Sequence, residues 1–305
     1  MLSIIVVLVF ALLWFAALWL LAGGSAPIFA ALALLYAIAS AVAHHYGWLH
    51  SPRARSSRFV RFVQRRICRA SFDQKAKARL RALARRVTRE PRPVVFACAP
   101  HQPLCLHMAL GFAAHGGARF GGLPRALAAR TYIAAHWAQR LLPLLPEFLA
   151  LFGVTNSTRR NVERVLARND HLCIAPDGIA GKMHAITHPP PPKTVVLLVR
   201  RAQLGWLTLA ARHNALVVPV LSPDETHHVV RYGARLLPAP LVFLVGANGP
   251  FSPLPPSTIR VANPIDTRRY APHTPRNLER MRDDYIDALR RLAAPDYTLC
   301  TQWIA

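Results

Sequence analysis

The sequence predicts an α/β domain, a mainly parallel sheet flanked by helices, preceded by an N-terminal transmembrane helical hairpin. Three observations lead there. Residues 1–52 of the 305 contain no Asp, Glu, Lys or Arg. From Arg53 to Arg92 the chain turns densely basic, with fifteen Lys/Arg against Asp73 and Glu90. Beyond Pro93, short apolar runs alternate with longer helical patterns, the signature of strands feeding crossover helices. The organisation expected is therefore a membrane hairpin at 1–50, a basic juxtamembrane helical segment at 51–92, and an α/β domain at 93–305.

The hairpin rests on length. Two apolar runs, Leu2–Leu21 and Pro27–Trp48, flank the turn-like break Ala22-Gly23-Gly24-Ser25-Ala26. At a rise of about 1.5 Å per residue each run reaches roughly 30 Å, the hydrocarbon thickness of a bilayer. Tyr46 and Trp48 fall where interfacial aromatics sit. A cleaved signal peptide would carry a basic N-terminal region, which this chain lacks, and a second apolar run would not follow it directly. The basic stretch after the hairpin places the N-terminus and the α/β domain on the cytosolic face.

Within the basic segment Phe59, Phe62, Val63 and Ile67 recur at helical spacing, which suits either a helix lying on the membrane surface or a solvated helical linker. Ser71 with Gln74 predicts a capping box for a second helix, Phe72–Val87. Strands are expected at Val94–Cys98, His171–Ala175, Thr194–Val199, Ala215–Leu221, Leu241–Val245 and Thr258–Ala262, with a short apolar run at Ala129–Ala134. Helices are expected at Leu104–Ala114, Leu141–Phe152, Asn161–Ala167, Ala202–His213 and Pro275–Leu292.

The net charge of +24 is carried almost wholly by Arg, since Lys75, Lys77, Lys182 and Lys193 are the only lysines. Beside a membrane anchor this balance suits anionic lipid headgroups. No helix-turn-helix, zinc-finger or RNA-binding motif is present, so nucleic acid is not an expected partner. The five cysteines, Cys68, Cys98, Cys105, Cys173 and Cys300, fit no zinc template, and no metal is expected. They are expected as reduced thiols, with Cys98 and Cys173 in the core. The sequon Asn156-Ser157-Thr158 is expected to stay unmodified on a cytosolic domain.

Active sites of α/β sheets lie at strand ends. The first strand of the domain ends in Ala99-Pro100-His101-Gln102, and a His in a strand-to-helix turn suits a general base near neutral pH. The G-x-S-x-G elbow, the Walker loop, the dinucleotide fingerprint and the H-E-x-x-H pattern are all absent.

These residues, with several blocks downstream, resemble the type 2 diacylglycerol acyltransferase family, which includes monoacylglycerol and wax-ester relatives. The family's H-P-H-G hallmark after a short strand falls on Ala99-Pro100-His101-Gln102. Its L-x-E-x-L, Gly and Ser/Arg-rich turn is similar to Leu145-Pro146-Glu147-Phe148-Leu149, Gly153 and Ser157-Thr158-Arg159. Its R-x-R-K-G-F, R-H-G-A-x-L-V-P and G-E-N segments resemble Val199-Arg200-Arg201 with Gly205-Trp206, then Arg212-His213-Asn214-Ala215-Leu216-Val217-Val218-Pro219, then Asp224-Glu225-Thr226. A G-x-P-I motif is similar to Ala262-Asn263-Pro264-Ile265. The departures are specific: Ala99 stands for the first hallmark His, Gln102 for its Gly, and Gly181 for the Glu of a G-G-A-x-E turn that falls on Asp177–Gly181. Where broader glycerolipid acyltransferases have an Asp five residues after the His, this chain has Leu106.

The resemblance implies a glycerolipid-acyltransferase-like fold and transfer of a fatty acyl group from acyl-CoA to a lipid hydroxyl, with diacylglycerol giving triacylglycerol. It implies His101 as catalytic base, flanked by Pro100 and Gln102, with Asp177 or Glu225 to orient it. Arg159, Arg200 and Arg201 are the candidates for the CoA phosphates. Backbone N–H groups after His101 or near Gly178 are the candidate oxyanion donors. Acyl-CoA is a co-substrate, no cofactor is implied, and the partners are a neutral lipid acceptor and membrane lipids of an endoplasmic-reticulum-like membrane. Homo-oligomerisation stays open. The rival reading is a degenerate acyltransferase fold that binds lipid or scaffolds a membrane.

Overall fold

The computed structural model describes residues 70–100, 123–135, 153–178, 190–200, 204–224 and 256–304 continuously, with shorter pieces at 16–38, 112, 150, 180–188, 229–231 and 242–244. Eight strands form the main sheet in the order β1-β10-β7-β2-β5-β3-β4, with β11 also paired to β7. These strands are β1 (Ala70–Phe72), β2 (Val94–Ala99), β3 (Thr131–Ala135), β4 (Val154–Asn156), β5 (His171–Ile174), β7 (Leu216–Leu221), β10 (Ser257–Val261) and β11 (Ile265–Asp266). β7, β2, β5, β3 and β4 run parallel, while β10 and β11 meet β7 antiparallel. The expectation of an α/β domain on a mainly parallel sheet is therefore met.

The two central strands, Val-Val-Phe-Ala-Cys-Ala and Leu-Val-Val-Pro-Val-Leu, are buried along their whole length. Continuous apolar runs of this kind mark a sheet covered on both faces. Alternation along β2 divides the core. Val94, Phe96 and Cys98 face one apolar cluster, and Val95, Ala97 and Ala99 face the other. Helix α1 (Gln74–Arg89) covers the first face, aided by the short α2 (Arg125–Ala128). Helices α3 (Arg159–Ala167), α4 (Gly205–Arg212) and α5 (Pro275–Ala293) cover the second.

Pro219 lies inside β7, a position that ordinarily costs a ladder bond. Its carbonyl accepts from Ala262 N–H at 2.9 Å, so its nitrogen faces the same side, where the chain turns from β10 into β11. The missing N–H therefore falls away from β2, and the central pairing is kept.

Several expectations are corrected. The capping box at Ser71 and Gln74 does not form. Residues 70–72 pair as a strand with Ser257–Ile259, and Asp73 caps the helix by accepting from Ala76 N–H. The helix then runs to Arg89, and Phe72, Ala76, Leu80, Leu83, Ala84 and Val87 join the core. The apolar side of this helix, which lies in the stretch read by sequence as juxtamembrane, packs against the sheet. β6 (Thr194–Arg200) leaves the main sheet and pairs in parallel with an unexpected C-terminal strand, β12 (Thr298–Ile304). The 241–245 strand appears as β9 (Val242–Leu244), in a separate antiparallel ribbon with β8 (Val229–Arg231).

Among the described residues no helix is long and apolar enough to cross a membrane. Most of the two N-terminal apolar runs lies outside the described residues. Part of their junction is described: residues 19–20 and 26–32 are helical, Gly23 has φ 59°, and the Trp19 and Phe29 rings meet edge-on at 5.7 Å. Leu20, Ile28, Leu34, Leu35 and Ile38 are all exposed. Phe59, Phe62, Val63 and Ile67 lie outside the described residues, as do the helices expected at Leu104–Ala114 and Leu141–Phe152, apart from Phe112 and Ala150.

Candidate functional site

Three central parallel strands end side by side, and each hands the chain to a proline. β2 leads to Pro100, β5 to Ala175-Pro176-Asp177, and β7 to Ser222-Pro223-Asp224. Pairing of β2 with β5 ends at Ala97 opposite Ile174, so Pro100 and Asp177 each lie three residues beyond the same register level. On the other side Ser222 N–H donates to Ala99 O at 3.0 Å, which ties the exits of β2 and β7 together. The carboxyl edge of the sheet thus brings Pro100 level with the exits of β5 and β7.

Asp177 is the buried charge of this edge, only 6% exposed. Its backbone carbonyl accepts from Gly181 N–H at 3.1 Å, which closes one helical turn. The side chain folds over Gly181: a Cβ built there would overlap the carboxylate and lie 2.9 Å from Asp177 Cβ. Only a residue without a side chain leaves this space. Nearby stands Tyr285 from α5, whose hydroxyl is buried without a hydrogen-bond partner among the described residues. Burial, then the charge of Asp177 and then Cys98, raise the Tyr285 phenol well above its ordinary value, so it stays protonated. Beneath these groups Cys98 of β2 and Cys173 of β5 are both buried, as expected, with their sulfurs 3.3 Å apart.

Asp224 has a different task. Its carboxylate accepts from Thr258 N–H at 3.1 Å and from the Tyr297 hydroxyl. That hydrogen bond, followed by burial, pushes the Tyr297 phenol up to about 12. Arg260 lies over the Tyr297 ring at 5.6 Å and pairs with Asp296 at 2.6 Å. Ser222 and Ser257, both buried, bond each other at 2.9 Å. This network locks β7, β10 and the C-terminal segment together beside the β2 exit. Sequence reasoning missed it. Asp224 adjoins a singled-out residue, but a pairing across thirty or more positions leaves no local pattern.

The expected site residues are distributed as follows. Pro100 and Asp177 share the strand-end edge. His101, Gln102, Glu225 and Arg201 lie outside the described residues. Arg200 ends β6 in the second sheet, and its side chain lies outside the described set. Arg159 opens α3 after β4, three strand positions from β2, or about 14 Å at the usual spacing. There it pairs with Glu163 at 3.1 Å, with its own side chain 69% exposed. Among the described residues no group of three His, Cys, Asp or Glu could hold a metal ion.

No protein-family model matches the chain, and no curated protein matches it. Among solved structures it is similar to the 1-acyl-sn-glycerophosphate (LPA) acyltransferase PlsC from Thermotoga maritima. The match has 17% identity, covers 85% of this chain and 92% of that chain, and gives a TM-score of 0.37. A likeness at that score carries no functional argument.

Proposed function

We propose that this chain is a membrane-bound O-acyltransferase that moves a fatty acyl group from acyl-CoA to a lipid hydroxyl, with diacylglycerol as acceptor and triacylglycerol as product. The observation that supports this reading is the carboxyl edge of the sheet, where Pro100, the residue that precedes His101 in the sequence, lies at the register level of the buried Asp177. The motif blocks quoted above supply the reaction class.

An alcohol attacks a thioester carbonyl poorly until a base takes its proton. In this reading His101 is that base, and the acceptor oxygen forms the new ester bond as the C–S bond to CoA breaks. CoA thiol leaves with a proton returned from the same imidazole. Asp177 favours the protonated imidazole that forms midway. Backbone N–H groups of the strand-end turns steady the oxyanion. The uncharged hairpin keeps this edge at the boundary where a bilayer alcohol meets a water-borne thioester.

The rival reading, a degenerate acyltransferase fold that binds lipid or scaffolds a membrane, rests on the altered hallmark positions Ala99, Gln102 and Gly181. The buried Asp177 carboxylate, packed where a Cβ on Gly181 would lie, is the acidic group that the acyltransferase reading retains at this edge. The experiment is an acceptor panel. Membranes containing the protein are given labelled acyl-CoA with diacylglycerol, monoacylglycerol, a long-chain alcohol or a lysolipid, and the products are separated. Triacylglycerol formed above control membranes supports the reading. Lipid that co-purifies without turnover supports the binder.

A further inference from the structure

Helix α1 (Gln74–Arg89) contains seven basic residues and no acid. Its apolar side, Ala76, Leu80, Leu83, Ala84 and Val87, is buried against the sheet and unavailable to a bilayer. What the helix offers outward is charge. Lys77, Arg81, Arg85 and Arg89 follow at intervals of four, forming one row about 18 Å long at the helical rise. Arg81, Arg85 and Arg89 are exposed and Lys77 is half-buried. Two other cations of the helix are engaged, Arg86 with Asp266 at 2.9 Å and Arg79 with Val261 O at 2.5 Å. The four in the row have no acidic partner among the described residues, and Arg81 donates only to the Lys77 carbonyl.

Such a row works against the helix that carries it, because like charges four residues apart repel. A chain that keeps a locally unfavourable pattern does so where the pattern meets something else. The sequence identifies the counterpart. Seventeen residues, 53–69, separate the uncharged residues 1–52 from β1, and they hold seven further arginines and no acid. In the reading of residues 1–50 as a membrane hairpin, on which this inference rests, the row is tethered to the bilayer by a short cationic linker.

We propose that the Lys77–Arg81–Arg85–Arg89 row is a docking surface for anionic phospholipid headgroups, which fixes the orientation of the α/β body on the membrane. The contact is electrostatic and superficial, since the apolar face of the helix is committed to the core. It does not depend on acyl transfer. It uses the hairpin only as a tether, and the two can fail separately.

The test uses the full chain reconstituted into vesicles of phosphatidylcholine, alone or mixed with phosphatidylglycerol. A fluorescent donor is placed at the exposed Ala82 (Ala82→Cys, with Cys68→Ser, Cys105→Ser and Cys300→Ser), and energy transfer to a headgroup-labelled lipid is read. Transfer is expected to rise in the anionic vesicles and to fall back at high salt. Each cation replaced by Gln is expected to lower the docked-to-undocked ratio about fivefold. The quadruple K77Q/R81Q/R85Q/R89Q variant should lose the lipid difference while keeping its melting temperature and still floating with vesicles. Equal transfer in both lipids, or a quadruple variant that docks like the parent, overturns the proposal. So does lipid-independent transfer combined with row-dependent binding of duplex DNA by the detergent-solubilised protein, which would assign the row to nucleic acid. A parent chain that fails to float refutes the tether itself.

Discussion

The Asp177 carboxylate occupies the space that a side chain on Gly181 would need. The two residues are four apart across one helical turn at the end of β5, and the carboxylate is buried there. Replacing Gly181 with Ala should drive the Asp177 side chain out of its place, at a cost of about 1–3 kcal/mol for overpacking a closed site. The expected outcome is a modest drop in melting temperature with a loss of acyl transfer of roughly tenfold or more, the scale of a displaced charge partner. Thermal melts and product formation on the same preparation check this. Gly181→Ala at full rate would remove Asp177 from the site.

Tyr285→Phe should separate packing from polarity. The ring packs edge-on against Trp206 at 5.5 Å, and its buried hydroxyl has no hydrogen-bond partner among the described residues. Removing an unsatisfied buried donor is neutral or stabilising by about 1 kcal/mol. Tyr285→Ala should instead cost about 3–5 kcal/mol by leaving a cavity. Denaturant melts of the two variants test the contrast, and a Phe variant as unstable as the Ala variant would contradict it.

Far from the strand-end turns, Asp266 joins three elements. It accepts from Arg92 through both oxygens at 2.7 and 2.8 Å, from Arg86 at 2.9 Å and from Arg268 at 3.1 Å. The Arg92 hydrogen bonds, outweighing burial and assisted by Arg268, hold this carboxyl far below the ordinary carboxylate range. The folded value is lower than the unfolded one, so the stabilisation is complete above about pH 4. As pH falls below that, it shrinks by about 1.4 kcal/mol per unit. Asp266→Asn should cost about 3–5 kcal/mol near neutrality by stranding the buried Arg92, and should flatten the acid limb below pH 4. Urea melts across pH would reveal it.

His171 covers a higher pH window. Burial, then the nearby Arg130, lower its imidazole to about 4, and its Nδ1 is buried without a partner among the described residues. The folded state resists protonation below the ordinary value of 6.5. Stability should therefore be complete above pH 6.5 and decline by about 1.4 kcal/mol per unit down to about pH 4, then level. His171→Leu should abolish the decline between pH 6.5 and 4 while leaving the Asp266 limb below it. A variant with an unchanged profile would exclude His171 as its origin.

Much of this fold is legible in the sequence because it is local. The unbroken apolar runs at 94–99 and 216–221 announce central parallel strands, and the helices at 159–167 and 275–293 carry their period openly. Long-range pairing leaves no such trace. Ala70-Ser71-Phe72 becomes a strand only because Ser257–Ile259 lies beside it, so a capping box looks equally good until the sheet is assembled. Thr298–Ile304 mixes polar and apolar residues and pairs with β6 across a hundred positions. The site follows the same division. The strand-end turn at Pro100 is visible by pattern. That one carboxylate fills another residue's vacated space is a matter of contact, which no spacing rule encodes.

The most direct measurement is triacylglycerol formation from labelled acyl-CoA and diacylglycerol in membranes bearing the parent chain or His101→Ala. Removing the general base should lower the rate by at least about a hundredfold, with the variant still embedded and folded. Product from the variant at the parent rate, or none from the parent with any acceptor while lipid co-purifies, would contradict the account.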